Sequence, residues 1–266
     1  MKNVYWSHKA TYIIVVSTFI FLSCQGPKGA DGLTGPSGAD GTQGVAGPKL
    51  SGAIKGFVSL YKEDGSDLID YSGVKVSLDG FPNDTTTTDK NGKWTLQNIQ
   101  TGTYTITFNK IGYGIQKIIG YQFAGGGDAF IPNTIVSEKS TNRVASLSVS
   151  SSSGTLNISG TLSSSAYSNN AVLVLIYFDT LNTVSSDPAH YKYLNIAAVF
   201  SGQTAINTLQ IAVQSLYDVG FLKGARVYIA GYTNSVMGFS YKDTLTGREV
   251  YTALCDSSKV SSFILP

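Results

Sequence analysis

From Ile54 onward the chain keeps returning to a two-residue period, and that pattern commits it to sheets. Val74, Val76 and Leu78 alternate with Lys75 and Ser77, while Tyr104, Ile106 and Phe108 alternate with Thr105, Thr107 and Asn109. Successive side chains of a strand point to opposite faces, so alternation of this kind buries one face and wets the other. Asp89-Lys90-Asn91-Gly92 and Gln100-Thr101-Gly102 supply turns between such runs; Asn-Gly suits the positive φ that tight turns need. The polar tract 83–88 (NDTTTT) is β-branched and fits a wet face or an edge. Further along, candidate strands run at 144–149, 155–161, 171–179, 191–200, 208–213, 226–233 and 260–265. Short strands at regular spacing, broken by Ser, Gly and Asn clusters, are the pattern of a second sandwich. Val172 to Phe178 (VLVLIYF) has no alternation, so it fits a central strand or one covered on both faces. The fold class expected is all-β, with two β-sandwich domains.

Five segments follow from this pass: 1–23, 24–50, a first sandwich at 51–124, a linker at 125–142 around Gly125-Gly126-Gly127-Asp128 and Pro132, and a second sandwich at 143–266. In the first sandwich five short motifs stand in order: Gly56-Phe57-Val58, Gly73-Val74-Lys75-Val76, Thr88-Asp89-Lys90-Asn91-Gly92-Lys93-Trp94, Gly102-Thr103-Tyr104 and Gly112-Tyr113. In this order they resemble the carboxypeptidase-regulatory-like domain, a transthyretin-like β-sandwich. The resemblance implies a rigid accessory module of exported proteins, without catalytic residues. The second sandwich resembles, more loosely, C-terminal β-domains of envelope lipoproteins that also carry the first module.

The N-terminus follows a different logic. Residues 1–9 carry Lys2 and Lys9 and no acid, and 10–22 (ATYIIVVSTFIFL) is an apolar and hydroxyl run. A span needs about 20 apolar residues, whereas a basic head with a shorter apolar core is the form of a secretory signal. Phe21-Leu22-Ser23-Cys24 follows and resembles the bacterial lipobox, with Phe21 where the family prefers Leu. The resemblance implies removal of residues 1–23 and lipidation of Cys24, which makes the membrane a partner. Residue 25 is Gln rather than Asp, so the family's usual inner-membrane retention signal is missing. An outer-membrane, surface-exposed location is the expectation.

Eight consecutive triplets then begin with glycine, at Gly26, Gly29, Gly32, Gly35, Gly38, Gly41, Gly44 and Gly47. That register is collagen-like, since only glycine fits at the axis of the triple helix. Pro appears in three triplets only (Pro27, Pro36, Pro48), always at the second position. Two readings stay open: a homotrimer through this segment, or a single-chain tether. Extended, the 24 residues reach roughly 70 Å; as a coil they span about 25–30 Å. Either way they act as a spacer.

Charge and residue chemistry narrow the function. Loss of residues 1–23 takes Lys plus Arg from 19 to 17, against 17 Asp plus Glu. A near-neutral chain argues against a nucleic-acid partner, which needs basic residues to neutralise phosphates. Cys255 is the only other cysteine and reads as a buried thiol. His190 follows Asp187 in a loop, with no Gly-x-Ser-x-Gly elbow in the chain. Asp89-x-Asn91-Gly92 matches part of a calcium loop but lacks the further carboxylates and the bidentate Glu; it reads as a turn. No catalytic residue, cofactor or metal site is expected, and the chain is not expected to be an enzyme. One functional signal remains. Tyr167, Tyr191, Tyr193, Tyr217, Tyr232, Tyr241 and Tyr251 crowd the second domain, and tyrosine combines an apolar face with a polar tip. They define no single residue set. The expected function is a cell-envelope lipoprotein of structural or adhesion type, displaying non-catalytic sandwiches on a collagen-like spacer. The alternative is a carbohydrate-binding accessory of an outer-membrane uptake system, with a glycan or surface protein as partner.

Overall fold

The computed structural model describes Gly35, Gly47, Lys49, Leu50 and residues 51–266 other than Ser168, Ser257 and Ser258. Residues 1–23, Cys24 and nearly all of the glycine triplets lie outside the described residues. Residues 47–266 form one compact unit, almost entirely β. Among the described residues no helix is long and apolar enough to cross a membrane.

The first sandwich has seven strands: β1 (Ser51–Tyr61), β2 (Lys75–Leu78), β3 (Phe81–Thr87), β4 (Lys93–Gln100), β5 (Gly102–Asn109), β6 (Gln116–Phe123) and β7 (Ala129–Ser137). They form two sheets, ordered β4-β1-β7 and β3-β2-β5-β6. The alternating apolar positions converge: Ile54, Val58, Leu60, Val76, Trp94, Leu96, Ile106 and Phe108 make one core. Trp94 and Phe108 meet edge-to-face at 5.6 Å. The turn before Trp94 forms as its residues suggest. Gly92 has φ +75°, and the Asp89 carboxylate accepts the Asn91 and Lys93 N–H groups, both at 2.9 Å. Gly56 permits a close approach, because a Cβ there would lie 2.7 Å from the Ile131 carbonyl and 3.0 Å from the Trp94 ring.

Residues 125–142 are not a linker. Half of them are β7, which pairs in parallel with β1, Ile54 opposite Ala129 and Leu60 opposite Val136. Pro132, which cannot donate to a ladder, sits at the register shift opposite Gly56–Val58, a bulge position where proline is tolerated. The Gly125–Gly127 stretch is a loop inside the first sandwich, joining β6 to β7.

The second sandwich comprises β8 (Val144–Ser152), β9 (Thr155–Leu162), β10 (Val172–Asp179), β11 (Tyr193–Val199), β12 (Ala205–Ala212), one short helix α1 (Val213–Asp218), β13 (Arg226–Asn234), the hairpin strands β14 (Ser240–Lys242) and β15 (Glu249–Tyr251), and β16 (Val260–Ile264). Its main sheets run β12-β9-β8 and β11-β10-β13-β16. Between them pack Leu156, Ile158, Val174, Ile176, Phe178, Val227 and Ile229.

The two sandwiches are clasped. The Glu63 carboxylate accepts the Thr141 N–H at 2.5 Å and its hydroxyl at 2.7 Å. The Glu63 carbonyl accepts Val236 N–H at 3.0 Å, and the Asp64 carbonyl accepts Asn170 Nδ2 at 2.9 Å. Ser235 donates to the Glu138 carbonyl. Gly114 faces the Thr252 backbone so closely that any Cβ would overlap it.

Candidate functional site

β10 carries the site because both of its faces are covered. Val174, Ile176 and Phe178 face the sandwich core. Leu175 and Tyr177 face the other way and are equally buried, beneath a second layer made by Val184, Tyr191 and Leu254. From Val174 onward the non-alternating VLVLIYF run is therefore buried on both faces, one of the two arrangements it fits, while Leu173 is exposed. In the neighbouring strand Ala230 lies opposite Tyr177, and Tyr232 opposite Leu175. The small Ala230 leaves width for the Tyr177 ring.

Four tyrosines gather there. The Tyr177 ring meets Tyr191 at 4.9 Å and Tyr232 at 5.6 Å, both edge-to-face, and Tyr251 packs against the same cluster. Tyr191 donates to the Glu249 carbonyl at 2.9 Å, which ties the cover to β15. The Arg248 guanidinium lies 5.4 Å over the Tyr191 ring and donates to the Pro188 carbonyl at 2.6 Å, holding the 185–190 loop down. Tyr177 differs from its neighbours: it is fully buried, and its hydroxyl has no hydrogen-bond partner. Burial, reinforced by Tyr191, Tyr251, Tyr232 and Cys255, raises its pKa far above the usual phenol value. Burial pushes Tyr191 up to about 12, with Arg248 opposing. Tyr232 and Tyr251 are raised chiefly by burial as well.

Beside this cluster is a cavity of about 260 Å³, walled by Tyr232, Tyr251, Ser186 and Cys255, with Lys139 and Asp256 at its mouth. Lys139 and Asp256 pair at 2.9 Å, and both side chains are solvent-exposed. The lining is mostly polar and includes one cation and one anion. It holds no evident nucleophile–base pair.

Of the tyrosines singled out in the sequence, the fold brings Tyr191, Tyr232 and Tyr251 together. Tyr193 instead packs on Phe178 at 5.4 Å, Tyr217 donates to the Pro266 carbonyl, and Tyr167 lies near Glu63. Tyr177 was hidden within the apolar run. Cys255 is buried, and its N–H donates to the Thr233 carbonyl at 3.1 Å. His190 Nδ1 lies 3.9 Å from Asp187 with both side chains half exposed; Asp187 also accepts Ala189 N–H at 2.8 Å in a loop turn. Among the described residues no group of three or more His, Cys, Asp or Glu is placed to hold a metal. Gly247 has φ +68° in the turn of the β14–β15 hairpin.

No family model matches the chain, and no curated protein matches it. Among solved structures, a DUF3823 family protein from Bacteroides uniformis is 12% identical, with 82% of this chain and 100% of that one covered, at TM-score 0.30. A candidate carbohydrate binding protein from Bacteroides uniformis is 17% identical, covering 81% and 100%, at TM-score 0.28. A cohesin–X-dockerin complex chain from Acetivibrio cellulolyticus is 16% identical over 33% of this chain and 58% of that chain, at TM-score 0.28. Likeness at this level carries nothing about ligand or partner. The class is therefore defined by the fold itself: a pair of clasped β-sandwiches, the second bearing a tyrosine-walled cavity.

Proposed function

We propose that the chain is a lipid-anchored cell-envelope protein that displays two clasped, non-catalytic β-sandwiches on a collagen-like spacer, in a structural or adhesion role. The order of parts carries this reading: an apolar signal, Cys24, eight glycine triplets, then a compact β unit from residue 47. A spacer is useful only between a surface and something to be presented. The Glu63 and Gly114 contacts support the second half of the idea, since clasped modules present their outer faces in a fixed relation. In this reading the first sandwich is a carboxypeptidase-regulatory-like accessory. Single acyl chains hold proteins only marginally, so Cys24 carries several. Metabolic labelling with a fatty-acid analogue is expected to mark the wild type. Cys24→Ala should lose the label and leave the membrane fraction. An unlabelled wild type in the soluble fraction would end the proposal.

A second reading, a carbohydrate-binding accessory of an uptake system, is favoured by one observation: the cavity walled by Tyr232 and Tyr251 with an ion pair at its mouth. Binding of the full chain to a glycan array is expected on this reading, and a blank array would count against it.

A further inference from the structure

The glycine triplets join the first sandwich without slack. The last triplet is Gly47-Pro48-Lys49; it belongs to the compact unit, and β1 begins at Ser51. Leu50, between them, is held on two sides. Its carbonyl accepts the Thr101 N–H at 2.7 Å. Gly125 has φ +69° and approaches so closely that a Cβ there would lie 2.5 Å from the same oxygen. The Gly126 N–H then donates to the Ser51 carbonyl at 3.1 Å. Chains wound in a collagen triple helix crowd a common axis where only glycine fits. Copies joined that way would start their first strands side by side. A sandwich is two sheets about 10 Å apart, so three of them rooted at one axis must touch.

The two outer faces of the first sandwich offer a neighbour different surfaces. The β3-β2-β5-β6 sheet turns out Thr103, Thr105 and Thr107 and the Lys117–Asp79 pair, which is a wet face. The β4-β1-β7 sheet turns out two phenylalanines. Val58 and Ile131 point into the core, so alternation leaves Phe57 and Phe130 outside, 39% and 58% exposed. Their rings meet edge-to-face at 5.8 Å. Because β1 and β7 run parallel, the root side of both rings is shared, and there Lys55 and Asp128 pair at 2.6 Å in the open. The face is thus aromatic with one cation matched to one anion, and it carries no net charge from this pair to repel a second copy. Exposed aromatic residues are what the cores of protein interfaces are enriched in.

We propose that the outer face of the β4-β1-β7 sheet, centred on Phe57 and Phe130, is the contact between copies of this chain in a homotrimer whose glycine triplets wind together. The inference rests on the collagen-like reading of the spacer and adds to it the face by which the folded modules meet.

The test uses the full lipidated chain in its own membrane. p-Benzoylphenylalanine in place of Phe130 is expected, on illumination, to give bands at two and three times the monomer mass. In place of Thr103, exposed on the other sheet, it should give none. Phe57→Ser should cut the Phe130 cross-link about tenfold, as loss of an interface anchor does, while circular dichroism keeps its β signature. Cross-links from Thr103 equal to those from Phe130, or a Phe130 cross-link untouched by Phe57→Ser, would overturn the assignment of the face. A Phe130 band at the mass of another protein would overturn the second copy as occupant. If Phe130 gives no band, the proposal falls, and sedimentation of the detergent-extracted wild type separates the causes. A trimer mass keeps the wound spacer and rejects only the face; a monomer mass returns the spacer to a single-chain tether.

Discussion

The central strands of the two sandwiches treat their outer faces differently. In the first, β5 buries Tyr104, Ile106 and Phe108 and turns Thr103, Thr105 and Thr107 outward. In the second, β10 buries Val174, Ile176 and Phe178 on one face and Leu175 and Tyr177 on the other. One core is enough to hold a sandwich. The second layer over β10 is therefore an addition, made from the 180–191 loop and the segment around Tyr251 and Leu254. What it encloses is a tyrosine cluster with a cavity at its border. A sheet covered on one side makes a support, whereas one covered on both sides can also make a site.

The sharpest way to break that contrast is a charge on each outer face. Leu175→Lys places an ammonium under the cover and is expected to cost at least about 3 kcal/mol. Thr103→Lys, at the equivalent outward position of the first sandwich, is expected to stay within about 0.5 kcal/mol. Denaturant unfolding of the two variants checks this, and equal losses would erase the distinction. A smaller effect is expected at the clasp. Gly114→Val inserts side-chain atoms against the Thr252 backbone, and overpacking of this kind costs about 1–3 kcal/mol. Calorimetry should show one unfolding transition for the wild type and two for the variant.

Alkaline titration sharpens the comparison further. Tyr177, Tyr191, Tyr232 and Tyr251 all have folded pKa values above the ordinary 10.0. The unfolded chain then loses these protons first as pH rises. Their contribution to stability is complete below about pH 10 and falls as pH climbs toward the folded values. Absorbance near the phenolate band should show a group of tyrosines that ionises only well above pH 10 or with unfolding. Titration of all tyrosines as a single class would contradict the buried cluster.

Much of this architecture was legible in the sequence, and the gaps have physical causes. Alternation placed β2 and β5, and Asn91-Gly92 placed the turn before Trp94, because strand period and turn chemistry are local. The missing alternation in VLVLIYF fits a central strand or one covered on both faces, and β10 is both. β7 looks like a linker in sequence because its signal is not local. Pro132 and Asn133 interrupt the pattern, and its partner β1 lies some seventy residues earlier in a parallel pairing. Helix α1 leaves no periodic signal in the sequence because six residues hold too few turns; only Val213 and Leu216 mark its buried side. The tyrosine excess pointed to the second domain, but Tyr177 could not be chosen. Its importance comes from what covers it, and that cover is built from segments on both sides of β13.

The Tyr177 hydroxyl offers the most direct test of the two-sided sheet as a site. Thermal unfolding of Tyr177→Phe without any ligand removes one oxygen and nothing else. Relief of an unpaired buried group, about 1 kcal/mol, should hold the melting temperature or raise it by about 2–4 °C. A fall of several degrees would mean that the hydroxyl is already bonded within the fold, and that the layer over β10 is core with no place kept for a ligand.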